Sequence, residues 1–145
     1  MFLATGFYAG RIPFAPGTFG SAVGIIFCYA FSWFDWPATI FLLFFLIATA
    51  ILISQRAESL LKQKDPGCIV IDEIAGMVVV LLGLPFTAAT AFFGFLIFRT
   101  LDIIKPFPIR QVERRLSGGT GIVMDDVLAG LIGNLILRAG LYVFQ

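Results

Sequence analysis

Three kinds of residue mark the polar stretches of this sequence: paired carboxylates, cations at helical spacing, and glycines in loops. Arg99, Asp102 and Lys105 stand three apart at the end of an apolar run, so a helix there presents a carboxylate between two cations on one face. Asp72–Glu73 and Asp125–Asp126 are adjacent acidic pairs. Carboxylate oxygens brought from separate segments are hard ligands suited to Mg²⁺, which selects Asp72, Glu73 and Asp126 as metal ligands. Gly17, Thr18 and Ser21 lie where a Pro/Gly loop enters an apolar segment. If Thr18 or Ser21 caps a helix there, its first amides form an anion site, with Arg11 as a cation at the start of the loop. Each feature also has a plainer account: an ion-pair network at a helix end, acidic residues favoured by a helix dipole, and a capped helix start.

The composition shifts the balance. Of 145 residues, 59% are hydrophobic and 13% charged, and there is no histidine. Soluble domains carry about 25% charged residues, so this is a membrane-class chain, and ionisable groups within one mark sites because they are costly there. A net charge of +1 gives no support to nucleic-acid binding. Cys28 and Cys68 form no CxxC pair and read as packing thiols, not as a zinc site or a disulfide framework. No basic, apolar and small-residue series at the start marks a signal peptide.

The apolar pattern predicts a single all-α membrane domain over 1–145, a compact polytopic bundle of about five short helical segments. These are Phe19 to Phe34, Pro37 to Ile53, Ile74 to Leu84, Thr87 to Phe98 and Ile122 to Phe144. Two prolines forbid a regular helix between Arg11 and Ser21. Hairpin turns are expected at Asp35–Trp36 and near Gly83–Leu84–Pro85, with Trp33 and Trp36 at an interface. The polar stretch after Ser54 suggests a helix extension reaching Pro66–Gly67, and Arg138 near the far end is placed to snorkel. Gly20 to Gly24 reads as a GxxxG packing signal. Basic residues fall in alternate connections, which places those connections, and the motif loops with them, in the cytoplasm.

Cations, carboxylates and glycine-rich backbone at a cytoplasmic membrane surface suit phosphate-ester chemistry on a lipid headgroup. Without histidine there is no histidine nucleophile; no arginine stands six positions after either cysteine, and no GxxxxGK[ST] loop occurs. On this reading Asp102 attacks phosphorus or orients the attacking water, Arg99 and Lys105 hold the phosphate, and water or Asp125 protonates the leaving oxygen. Which carboxylate attacks stays open. Two rivals remain: a divalent-ion carrier or channel, which calls for acidic residues near mid-membrane, and another lipid-phosphate transferase or small lipid kinase.

Four blocks carry a resemblance: Pro16-Gly17-Thr18-Phe19-Gly20-Ser21; Asp72-Glu73 with Gly76-Met77; Phe98-Arg99 with Asp102, Lys105-Pro106 and Pro108-Ile109; and Gly118-Gly119 with Gly121-Ile122, Asp125-Asp126 and Ala129-Gly130. Together, in this order and across nearly the whole chain, they resemble the signature blocks of bacterial phosphatidylglycerophosphatase A. The resemblance implies an inner-membrane, Mg²⁺-dependent enzyme that removes the terminal phosphate of phosphatidylglycerophosphate, leaving phosphatidylglycerol and inorganic phosphate.

Overall fold

The computed structural model describes residues 1–143 and is all-α, with six helices: α1 (Pro16–Phe31), α2 (Trp36–Leu61), α3 (Ile71–Leu81), α4 (Ala88–Ile104), α5 (Ile109–Arg115) and α6 (Gly118–Val143). The five expected apolar segments are present, and the sixth helix, α5, is the short basic one that the apolar pattern does not reveal. The end of the fifth segment, at Phe144, lies outside the described residues.

Boundaries differ from the sequence reading for identifiable reasons. Pro16 does not delay α1 but opens it, because an N-terminal proline gives up no helical hydrogen bond. Ala15 is the residue before it, and neither Thr18 nor Ser21 caps the helix; the Ser21 hydroxyl instead donates to the Gly17 carbonyl at 2.8 Å. Asp35 does cap α2, accepting from the Ala38 amide at 3.1 Å. The extension of α2 stops at Leu61 rather than Pro66, because Lys62 adopts a left-handed conformation, φ 51°, and ends it. The α3–α4 hairpin turns through Gly83, φ 67°.

Helices α2 and α6 are each 26 residues long, with mean hydropathies of 2.4 and 1.6 over their most apolar windows, long and apolar enough to cross a membrane. At 1.5 Å per residue each runs about 39 Å. Helix α3, with 11 residues, reaches only about 16 Å and cannot cross. A surface of exposed aromatic and aliphatic side chains, including Phe41, Phe44 and Phe45 on α2, Phe92 and Phe93 on α4 and Leu135 on α6, suits contact with lipid. Trp33 and Trp36 are exposed beside the α1–α2 turn.

Helix α3 is the centre of the bundle, with nearly every residue buried against α1, α2, α4 or α6. Glycines make its close crossings. A Cβ on Gly76 would lie 2.6 Å from the Phe98 ring and 2.9 Å from the Asp126 carbonyl, and one on Gly130 would lie 2.5 Å from the Gly76 carbonyl. On α1 the expected glycine pair is used: Gly20 packs on Val70 and Gly24 on Met77. Phe98, Met77, Val80 and Val123 fill the centre with no solvent exposure. Both cysteines are free; the buried Cys28 donates its thiol to the Met77 carbonyl, as a packing residue would.

This packing brings the starts of α1, α3 and α6 to the same end as the finish of α4. Gly17 adjoins Glu73, Asp72 and Glu73 adjoin Asp126, and Arg99 reaches Glu73. The motif loops are therefore gathered at one end of the bundle.

Candidate active site

Three carboxylates meet at that end. Asp72 and Glu73 come from the first turn of α3 and Asp126 from α6, with one oxygen of each within 4.8 Å of the others. Asp72 and Asp126 are buried and Glu73 nearly so. Each keeps one buried oxygen without a hydrogen-bond partner: Asp72 Oδ1, Glu73 Oε2 and Asp126 Oδ2. Buried carboxylate oxygens without donors are costly, and a cluster of three such carboxylates, two from α3 and one from α6, fits a divalent cation with oxygen ligands. Burial first, then repulsion from Glu73 and Asp126, raises the Asp72 carboxyl well above the ordinary range. Burial likewise pushes Glu73 up to about 7, with Asp102 adding repulsion, although Asp72 and Arg99 pull the other way. A cation among them would reverse this, since its charge favours the ionised form of every ligand.

Cationic groups stand on one side of the triangle. Arg99 donates from Nη1 to Asp102 at 2.6 Å and lies 4.0 Å from Glu73, while its Nε is buried and unpartnered. That leaves guanidinium donors for a ligand anion. The first turn of α1 reaches the same place, for a Cβ on Gly17 would collide with the Glu73 carboxylate and lie 2.9 Å from Arg99 Nη1. Only glycine lets the helix start approach so closely. Gly17→Ala is thus expected to push Glu73 and Arg99 apart and lower kcat/KM about 10-fold or more, while the thermal midpoint shifts by only a few degrees. Kinetics and unfolding measured on the same preparation check this.

Lys105 does not complete the face expected from its spacing. It adopts φ 46° and ends α4, so its side chain leaves the Arg99–Asp102 row. Its ammonium donates to Asp125 at 2.5 Å and to Glu113 at 3.1 Å, tying α4 to α5 and α6. Asp102 therefore lies beside one cation, Arg99, rather than between two. Burial disfavours the Lys105 ammonium, but Asp125 and Glu113 outweigh it and raise its pKa above the usual lysine value. Asp125 accepts from Lys105 through Oδ2 and from the Asp126 amide through Oδ1, so both its oxygens act as acceptors. Lys105→Met would leave Asp125 buried and uncompensated. Its expected cost is about 3 kcal/mol of stability, to be read from thermal unfolding in detergent, and a loss below about 0.5 kcal/mol would show that the pair behaves as a surface salt bridge.

The remaining expected site residues are placed differently. Thr18 is half-buried in the first turn of α1; Ser21 is buried, with its hydroxyl engaged inside the helix. Arg11 is exposed, stacks over the Tyr8 ring at 4.7 Å and makes no ion pair with a carboxylate among the described residues. Residues that the sequence reading missed include Glu113 and Gln55, whose side chain accepts from the Gly119 amide at 2.7 Å and anchors the start of α6. A lone glutamate amid arginines and a glutamine at the end of an apolar run were the available signals.

The family model described as phosphatidylglycerophosphatase A matches residues 2–141. The chain belongs to the phosphatidylglycerophosphatase A family. Phosphatidylglycerophosphatase A of Escherichia coli (strain K12) is 38% identical over 140 residues, covering 93% of this chain and 79% of the relative. The Haemophilus influenzae protein of the same name is 35% identical, covering 94% and 85% of the two chains. A protein of Bacteroides thetaiotaomicron named as a putative phosphatidylinositol-3-phosphatase is 32% identical, covering 97% and 92%. No solved structure matches. Membership in the phosphatidylglycerophosphatase A family supports phosphatase activity and counts against a carrier.

Proposed function

We propose that the protein is a membrane phosphatase that hydrolyses phosphatidylglycerophosphate to phosphatidylglycerol and inorganic phosphate, with Mg²⁺ held by Asp72, Glu73 and Asp126. The observation that carries the metal reading is the cluster of three carboxylates from α3 and α6, each with one buried oxygen that has no hydrogen-bond partner. Bound there, Mg²⁺ supplies the positive charge that lets a phosphate ester dianion lie beside carboxylates. Arg99 and the Gly17 amide take non-bridging oxygens, since Pro16 has no N–H and the Thr18 and Phe19 amides already donate to the Ala15 carbonyl. Asp102, steadied by Arg99, either takes the proton of the attacking water or attacks phosphorus itself, in which case water then hydrolyses the aspartyl phosphate and releases inorganic phosphate. The bond from phosphorus to the glycerol oxygen breaks. Because both Asp125 oxygens already accept hydrogen bonds, the leaving oxygen takes its proton from water, and Lys105–Asp125 holds the end of α4 in place.

The basic residues other than Arg138 lie towards the site end or in its loops, which supports a cytoplasmic orientation in the bacterial inner membrane. The substrate assignment follows the family description and the names of two relatives; the third relative's name offers phosphatidylinositol 3-phosphate as the competitor. Phosphate release from each lipid by the purified protein in mixed micelles decides between them. Phosphatidylglycerophosphate is expected to show a kcat/KM higher by about 10-fold or more. Equal or faster turnover of phosphatidylinositol 3-phosphate would overturn the assignment.

A further inference from the structure

We propose that Asn134 and Arg138 are positioning residues for the carboxylate triangle: they fix the register of α3 on α6, and so the separation of Asp72 and Glu73 from Asp126. The inference rests on the metal reading above. Helix α3 ends at Leu81, about 14 Å from Asp72, and its last carbonyls have no partners within the helix. The Leu82 N–H returns to the Val79 carbonyl at 3.2 Å and the Leu84 N–H to the Leu81 carbonyl at 3.1 Å, which leaves the Val80 and Leu82 carbonyls to donors from elsewhere. Helix α6 provides them. Asn134 Nδ2 donates to the carbonyls of Val80 at 2.7 Å, Leu82 at 3.0 Å and Val79 at 3.3 Å. Arg138 Nη2 donates to Leu82 at 2.8 Å, while its Nε donates to Asn134 Oδ1 at 2.8 Å and holds the amide in that orientation. Arg138 is thus engaged with the end of α3 rather than extended freely to an interface.

Asp126, Gly130, Asn134 and Arg138 recur every four residues and form one stripe along α6. Along this stripe Asp126 meets Asp72 and Glu73, Gly130 meets the Gly76 carbonyl, and Asn134 and Arg138 meet the end of α3. The intervening contact is glycine against backbone, Gly130 on the Gly76 carbonyl beside Val79, with no directed side-chain hydrogen bond of its own. A buried amide with directed hydrogen bonds selects one register where apolar packing accepts several. The clamp at the far end of α3 therefore keeps the ligand oxygens within reach of one another at the near end.

Mn²⁺ binding to the detergent-purified protein, followed by electron paramagnetic resonance, tests this alongside metal-free thermal unfolding and the Mg²⁺ dependence of phosphate release. Asn134→Leu fills similar volume without the donors. It is expected to unfold cooperatively while its Mn²⁺ dissociation constant and Mg²⁺ half-saturation rise roughly 2- to 30-fold, with kcat at saturating Mg²⁺ changing less. Arg138→Lys, which keeps a cationic donor, should remain near wild type. If Asn134→Leu does not fold, Arg138→Gln at the exposed edge carries the same test, with a smaller shift in the same direction. Unchanged Mn²⁺ affinity in folded Asn134→Leu, or in Arg138→Gln where the former cannot be purified, overturns the proposal. Failure of the wild-type protein to bind Mn²⁺ would instead remove the metal reading itself, and the proposal with it.

Discussion

Asp72→Asn is expected to lower kcat/KM by about 10²–10³-fold while leaving the metal-free protein as stable as wild type or more so. The two effects have opposite signs for one physical reason. Asp72 is buried, its Oδ1 has no hydrogen-bond partner, and its nearest charged neighbours are the carboxylates of Glu73 and Asp126. In the absence of a cation that arrangement is repulsive and desolvated, so an amide of the same shape relieves it. With a cation the same oxygen becomes a ligand, and losing it removes charge from the phosphate-binding end of the site. Residual activity should need much higher Mg²⁺. Thermal unfolding in EDTA, compared with unfolding and phosphate release in Mg²⁺, separates these terms. A variant that loses stability in EDTA and keeps its Mg²⁺ dependence would show that Asp72 is structural.

Asp102→Asn is expected to lose about 10²–10⁴-fold in kcat with little change in KM. Asparagine keeps an oxygen that can accept from Arg99 Nη1, so the hydrogen bond now 2.6 Å long can persist and the guanidinium stays where substrate needs it. What disappears is the negative charge next to the triangle, and with it the group that attacks phosphorus or takes a proton from water. Because Asp102 has one cationic partner rather than the two its spacing suggests, the effect should not depend on Lys105. Rates and thermal midpoints measured on Asp102→Asn and Lys105→Met should show the kcat defect in the first variant and the stability loss in the second. Turnover within a few-fold of wild type in folded Asp102→Asn would leave only an ion pair at that position.

Much of the site was legible because chemistry-bearing residues are scarce in an apolar chain. Asp72, Glu73 and Asp126 stood out as carboxylates beside membrane-class segments, and the structure places them together. The three-residue spacing correctly paired Arg99 with Asp102. It failed at Lys105, since spacing assumes an unbroken helix and the left-handed residue that ends α4 turns its side chain towards α6. Capping by Thr18 or Ser21 failed for a related reason: Pro16 had already started the helix, and the value of this loop lies in Gly17, whose missing Cβ makes room for Glu73 and Arg99. The five apolar segments were read from hydropathy alone, whereas α5 was not, because seven residues rich in arginine carry too little periodic apolar signal. Asn134 went unremarked although a single amide within an apolar run is itself a signal. Its meaning depends on α3 ending opposite it, which no local pattern states.

The central claim is that the carboxylate triangle of α3 and α6 holds a divalent cation needed for hydrolysis of phosphatidylglycerophosphate. Its most direct test is phosphate release from that lipid by metal-stripped wild-type protein in nanodiscs as Mg²⁺ is restored. Negligible release without metal is expected, with saturable recovery as Mg²⁺ rises that Asp72→Asn does not show over the same range. Full activity in the stripped protein, or the same Mg²⁺ recovery in Asp72→Asn, would contradict it.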